Sequence, residues 1–295
     1  MQGRRIPRAK KEDDHPSLEE LLSRVEFDAR TNSIQGLGPF RTLLRTELSD
    51  ETLRFLEKAV QTLDGERRSG IAFVLAEHYL RVGTIEPLKE LYSSGDSEVQ
   101  ESVLKALWGE PNANPAMGPF VVNLAIQAAE HTSERVRSQV CKVIQNQCAW
   151  GVDVTNALIV LRSLLEDEDE DVKQSAAYAV GNAAKRKYDV AECVKPLCAL
   201  LTHEKMWVRN AGAWALKNLA QSKHDIEFAV PELVRLLSDD DDWSDPRRNA
   251  ASSLLSYAKK SRVNAARLKA AVSRAEVNES CKSVTRFLAA LAKLN

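Results

Sequence analysis

Five histidines, five cysteines and two dense acidic runs are the residues in this chain with the most reactive chemistry, and their spacing limits what each can do. His15, His78, His131, His203 and His224 are scattered, and Glu77-His78 and His203-Glu204 lack the spacing that sets two imidazoles on one helical face around a metal. Cys141 and Cys148 fall within one expected helix and Cys193 and Cys198 within another, without a zinc-knuckle pattern. They read as buried free thiols of an intracellular protein, cytoplasmic in the first instance, with the nucleus as the alternative. Glu166 to Asp171 and Asp239 to Asp242 lack the alternating ligands and turn glycine of a calcium loop. Solvated turns that favour the next helix N-terminus explain them, and an edge for a basic partner is the alternative. Gly36-Leu37-Gly38 has neither a preceding strand nor a phosphate-binding lysine. No nucleophile elbow or kinase signature is present. No cofactor or metal is expected, and an enzyme would need a cleft that no motif announces.

A different constellation is better ordered. Asn146, Asn182 and Asn218 recur every 36 residues, and Lys142, Tyr178 and Trp214 stand four places before them. An Asn amide offers a donor and an acceptor to an extended backbone, and an aromatic neighbour supplies an amphipathic anchor. With Val208 as the buried reference and about 100° per residue, Asn210, Trp214, Lys217 and Gln221 lie on the far side of their helix. Asn218 falls between that side and the core. Lys142, Asn146, Tyr178, Asn182, Asn210, Trp214, Lys217, Asn218 and Gln221 are therefore the candidate protein-binding residues. The competing reading is architectural: Asn bonds between repeats, and Trp214 fills a gap between helices.

The elements that must position this row follow the same period. Leu164-Leu165, Leu200-Leu201 and Leu236-Leu237 each close an apolar helix, 36 residues apart. After a polar turn come Val136-Arg137, Val172-Lys173 and Val208-Arg209, again 36 apart. Arg247-Arg248 is displaced by three residues, which the loop from Ser238 to Pro246 absorbs. Such a period marks a stacked helical array in which no pair buries its apolar face alone. Small residues line the second helices, among them Ala176, Ala179, Ala183, Ala211 and Ala215. With only 12 Gly, 10 Pro and 6% aromatics, the composition suits helices.

The spacing predicts helices near 17–28, 51–63, 66–81, 85–92 and 98–108. Five pairs follow: 117–130 with 134–147, 154–165 with 172–187, 191–201 with 208–222, 228–237 with 247–260, and 265–274 with 278–293. Residues 29–39 read as a connector. The organisation expected is a flexible basic/acidic arm over 1–16, a divergent helical cap over 17–83, and a repeat array over 84–295 continuous with the cap.

The Leu pairs, the acidic turn and Val172-Lys173 and Val208-Arg209 before Ala-rich helices resemble the HEAT family of helical hairpins. The resemblance implies an all-α, right-handed superhelix, with first helices outside and second helices inside. It also implies a protein-interaction scaffold or adaptor. Trp214 and Asn218 look like the peptide-holding Trp and Asn of armadillo repeats. The expected partner is accordingly a protein or an extended peptide, bound without catalysis on the inner surface.

Charge allows a second partner. The formal net charge is −1, yet from Lys259 onward nine Lys or Arg accompany only Glu276 and Glu279. Lys259, Lys260, Arg262, Arg267, Lys269, Arg274, Lys282 and Arg286 could bind nucleic-acid phosphates, although their spacing spreads them over several helix faces. No apolar run reaches membrane-spanning length. Oligomeric state leaves no mark in the sequence.

Overall fold

In the computed structural model, which describes residues 26–28, 33–35, 48–108, 114–239, 245–277 and 280–294, most helices lie within a few residues of where the apolar spacing puts them. Packing divides the chain into two units, Met1–His78 and Tyr79–Asn295.

In the first unit, strands β1 (Glu26–Asp28) and β2 (Ser33–Gln35) pair antiparallel with Phe27 opposite Ile34. This corrects the expected helix at 26–28 and the expected connector at 33–35. Each triplet centres on a strand-forming apolar residue, Phe27 or Ile34, and the two face each other across the pair. The rest of that helix and the arm over 1–16 lie outside the described residues. Helices α1 (Asp50–Thr62) and α2 (Gly65–Val82) follow. Ser49 caps α1 through its Oγ, which accepts from the Thr52 amide at 3.2 Å. Arg68 Nε donates to the Val60 carbonyl at 3.0 Å and ties the two helices across their turn. The α2 run from Ile71 to Ala76 is buried on every side.

The second unit, which α2 enters, is built of paired helices. They are α3 (Ile85–Ser94) with α4 (Ser97–Trp108), α5 (Gly118–Gln127) with α6 (Glu134–Ala149), and α7 (Leu158–Leu164) with α8 (Glu170–Lys185). Then come α9 (Val194–Leu200) with α10 (Met206–Gln221), α11 (Val230–Leu236) with α12 (Asp245–Ala258), and α13 (Arg262–Val272) with α14 (Lys282–Ala292). The pairs stack as an all-α superhelical array. Second helices α6, α8, α10 and α12 pack in series, and more extensively on one another than on their own first helices. Small side chains allow this closeness, since Ala176, Ala179, Ala183, Ala211 and Ala215 are all buried. The Leu pairs at 164–165, 200–201 and 236–237 are buried between the layers.

Both ends of the helices repeat in detail. Short 3-10 turns at Thr155–Ala157, Ala191–Cys193 and Glu227–Ala229 lead into α7, α9 and α11. Before each, an aspartate accepts from the amide two residues on: Asp153 at 3.0 Å, Asp189 at 3.1 Å and Asp225 at 2.9 Å. This local bond competes with helical geometry, so the α-helical part of each first helix is shorter than its apolar pattern suggests. Second helices α6, α8 and α10 end at Gly151, Lys187 and Lys223, with φ of 84°, 68° and 71°. The next amides reach back to the carbonyls of Gln147, Ala183 and Leu219 at 3.0, 3.1 and 3.0 Å.

Charged groups join successive pairs. Buried Arg137 grips Asp167 with two bonds, Nε to Oδ2 at 2.7 Å and Nη2 to Oδ1 at 2.8 Å. Its Nη1 donates to the carbonyls of His131 and Thr132. Arg209 repeats the arrangement with Asp239 at 3.0 Å and the carbonyls of His203 and Glu204. Asp169 caps α8 by accepting from the Asp171 and Val172 amides, each at 3.0 Å. The acidic turns are thus partly consumed by structure. Asp240 to Asp242 lie outside the described residues.

Two stability outcomes follow. Left-handed backbone favours glycine, so Lys187→Gly and Lys223→Gly should each stabilise by ~0.5–1 kcal/mol in urea unfolding, and Gly151→Lys should destabilise similarly. A loss of stability in both glycine variants would refute this account of the turns. Burial works against the Asp167 carboxylate, but bonds from Arg137 and the Asp169 amide, with the charges of Arg137 and Lys173, hold its pKa below the ordinary range. Its stabilisation is complete above the unfolded pKa of about 3.9 and is lost as pH falls through the lower folded value. Asp167→Asn should cost about 3 kcal/mol near neutrality, because buried Arg137 loses its bidentate carboxylate and keeps only two carbonyls and the exposed Glu168 at 3.8 Å. The same variant should lose less further stability below pH ~4 than the parent does; an unchanged acid limb would show that Asp167 does not carry it.

Candidate binding surface on the second helices

The candidate residues come from three consecutive second helices, α6, α8 and α10, which the stacking sets side by side. Tyr178 on α8 and Trp214 on α10 meet edge to face, with ring centroids 5.2 Å apart and planes at 70°. Gly181 makes the approach possible, because a Cβ there would stand 2.4 Å from the Trp214 ring. Lys185 places Nζ over the indole at 4.3 Å from its centroid, and Lys217 reaches 5.9 Å. Both rings are half-buried.

A polar chain crosses to α12. Asn249 Nδ2 donates to Asn210 Oδ1 at 2.9 Å, and Lys217 Nζ donates to Asn249 Oδ1 at 2.9 Å. Burial, and after it the Asp245 charge, pushes the Tyr178 phenol up against the opposing influence of nearby Asn210 and Gln174. Burial also lowers the Lys217 pKa, helped by the nearby Lys185 and Arg248 charges. Lys142, half-buried on α6, is lowered by burial and by Lys105.

The three Asn residues do not form one exposed ladder. Asn146 donates from Nδ2 to the Trp108 carbonyl at 2.9 Å, linking α6 to α4. Asn182 and Asn218 donate back within their own helices, to the Tyr178 carbonyl at 2.9 Å and the Trp214 carbonyl at 3.0 Å. Asn218 is only 2% exposed, beneath the surface rather than on it. Gln221 is exposed at the end of α10. What the structure brings together is therefore the aromatic pair, Asn210 and Lys217, with Lys185 and Asn249, which the 36-residue row of Asn and aromatic residues does not include. Asn249 was findable: with the three-residue displacement it is the counterpart of Asn210, as Gln174 is one unit earlier.

Other chemistry is differently placed. All five cysteines are buried and free, and burial pushes the Cys193 thiol up to about 12. Among the described residues no three His, Cys, Asp or Glu side chains are grouped to share a metal, and no helix is long and apolar enough to cross a membrane. In the basic C-terminal region Arg267 pairs with Glu227 and Lys269 donates to the Leu294 carbonyl.

The family model for HEAT repeats matches residues 85–181 and 158–256. The search of curated proteins returned no match. Among solved structures, the YibA protein of Escherichia coli is similar, with a TM-score of 0.63 and 18% identity over 99% of this chain and 100% of that one. An engineered protein gives a TM-score of 0.63 at 21% identity, covering 94% of this chain and 79% of that one. A designed armadillo repeat protein in complex with the peptide (KR)4 gives 0.51 at 19% identity, over 82% and 99% of the two chains. At such identities these likenesses establish the helical-repeat fold.

The contact of Tyr178 with Trp214 should appear in a double-mutant cycle. Tyr178→Ala, Trp214→Ala and the double variant, unfolded in urea, should give a coupling of about 1 kcal/mol. On a Gly181→Ala background, where the added methyl displaces the indole, that coupling should shrink. Additive single-variant losses would mean that the rings share no energetic contact.

Proposed function

The chain belongs to the HEAT-repeat family, and from that footing we propose that it is a non-catalytic scaffold or adaptor whose second-helix surface between Lys142 and Gln221 binds an extended segment of another protein. The observation that carries this reading is the aromatic-polar row of Tyr178, Trp214, Asn210, Lys217 and Asn249, fixed across three consecutive units by ring contact and hydrogen bonds. Such a row is already ordered, so a partner loses less freedom in docking on it than on independent side chains. A partly buried indole with an accessible edge supplies large apolar area with few rotatable bonds. The designed armadillo protein of similar fold holds a peptide in its complex, which supports the same use of stacked helical repeats here. Asn182 keeps Oδ1 for a peptide amide, since Nδ2 is engaged within its helix. Asn218 contributes by holding α10 rather than by touching the ligand. An intracellular setting is part of the proposal.

Selection of random displayed peptides on the full chain, followed by calorimetry on the best binder, provides the test. Trp214→Ala should weaken binding by about 2 kcal/mol, while Gln221→Ala should change it by less than about 0.5 kcal/mol. Circular dichroism would confirm that both variants remain folded. Photo-crosslinks from the peptide should fall on α8, α10 and α12. Crosslinks confined to the first helices, near exposed Ile159 and Phe228, would place the binding surface elsewhere.

A further inference from the structure

The charge around Trp214 is not balanced locally. Two ammonium groups, from Lys185 and Lys217, lie within 5.9 Å of one indole centroid. Lys217 uses a neutral acceptor, Asn249 Oδ1, and among the described residues no carboxylate stands within ion-pair distance of either lysine. Asp245, on the facing helix, acts on Lys217 from beyond ion-pair distance and is itself paired with Arg248 at 2.9 Å, a third cation that acts on the same lysine. Like charges brought together without an anion repel, and here the indole quadrupole offsets only part of that repulsion. One unit earlier Lys142 stands near Lys105, which is paired with Glu101 at 2.7 Å, and there Glu101 and Asp171 both act on Lys142, so the excess of positive charge is confined to Trp214. Around Trp214, Lys185, Lys217 and Arg248 thus face the single carboxylate of Asp245, which Arg248 already pairs.

Resting on the peptide-binding reading above, we infer that the segment this surface takes is acidic, with an Asp or Glu side chain seated between Lys185 and Lys217 at the rim of Trp214. A carboxylate there relieves the repulsion between the two ammonium groups and accepts charge-assisted hydrogen bonds from both. The apolar stem of the same side chain lies on the ring edge. Nucleic acid would combine phosphate contacts with stacking of bases on an open aromatic face. The Lys185 ammonium occupies the indole face, which favours the carboxylate ligand. The designed armadillo protein of similar fold holds the cationic (KR)4. The charge on this surface predicts the opposite preference.

Fluorescence anisotropy on the full chain separates the outcomes, using labelled (DE)4, (KR)4 and (SG)4 peptides, an eight-nucleotide oligouridine, and the peptide selected in the preceding experiment. The expected result is that (DE)4 binds at least about tenfold tighter than (KR)4 or (SG)4 and weakens as salt rises. The Lys185→Glu, Lys217→Glu double variant should reverse the order of (DE)4 and (KR)4. Lys185→Glu alone, at an exposed position, should still lower (DE)4 affinity several-fold if the double variant folds poorly. Tighter binding of (KR)4 or (SG)4, or unchanged (DE)4 affinity in Lys185→Glu, overturns the inference. Oligouridine binding that outcompetes (DE)4 overturns it in favour of nucleic acid. If the selected peptide binds at Trp214 and (DE)4 does not, acidic preference alone fails. If no peptide binds there, the docking reading fails with it.

Discussion

A hairpin of two amphipathic helices cannot close a core around itself, and the rest of this molecule follows from that insufficiency. In α10, buried Val208, Ala211, Ala215 and Leu219 leave no apolar stripe for water, because α8 and α12 lie along its two flanks and α9 lies behind it. Alanine is what the geometry requires at these contacts. Larger side chains would push the second helices apart, and the leucines of the first helices would then lose their lid. The same demand acts at Gly212, where a Cβ would come within 3.0 Å of Leu200. Stability is therefore a property of neighbouring pairs more than of any one pair.

Because the pairs are copied at a fixed interval, side chains that leave the second helices come in rows whether or not a ligand uses them. Tyr178 and Trp214 are one step of such a row, and Asn210 and Asn249 are another. Architecture and recognition thus draw on the same residues. The edge-to-face contact that steadies α8 against α10 also holds an indole half open to solvent, and the amide bridge that joins α10 to α12 also orients a lysine. Rigidity gained from packing becomes preorganisation at the surface.

Most of the helix map was legible in the sequence because it depends on periodic burial, which the Leu pairs and Ala stripes report directly. Features that rest on single hydrogen bonds were harder to read. The aspartates at 153, 189 and 225 were visible at the right interval, but nothing in an apolar pattern marks a 3-10 entrance. Asn218 lay near the boundary between core and surface, and packing turned it inward. Lys185 carries no signal in the sequence, because a solvent-side lysine is ordinary until a ring lies beneath it. The strands at Glu26–Asp28 and Ser33–Gln35 are too short for periodicity to separate from a frayed helix.

The paired arginines define a grammar for changes in chain length. Arg137 and Arg209 stand 72 residues apart, and so do their partners Asp167 and Asp239. The unit between them carries Lys173 and His203 at the corresponding places. His131 and His203 accept an amide at the same turn position that Asp167 fills in the alternate unit. Excising residues 138–173 would set the buried Arg137 guanidinium against the His203 imidazole, whereas excising residues 168–203 would keep both arginine–aspartate pairs. Electrostatics thus selects where a whole unit can be removed or added, although helix packing alone would accept any 36-residue window.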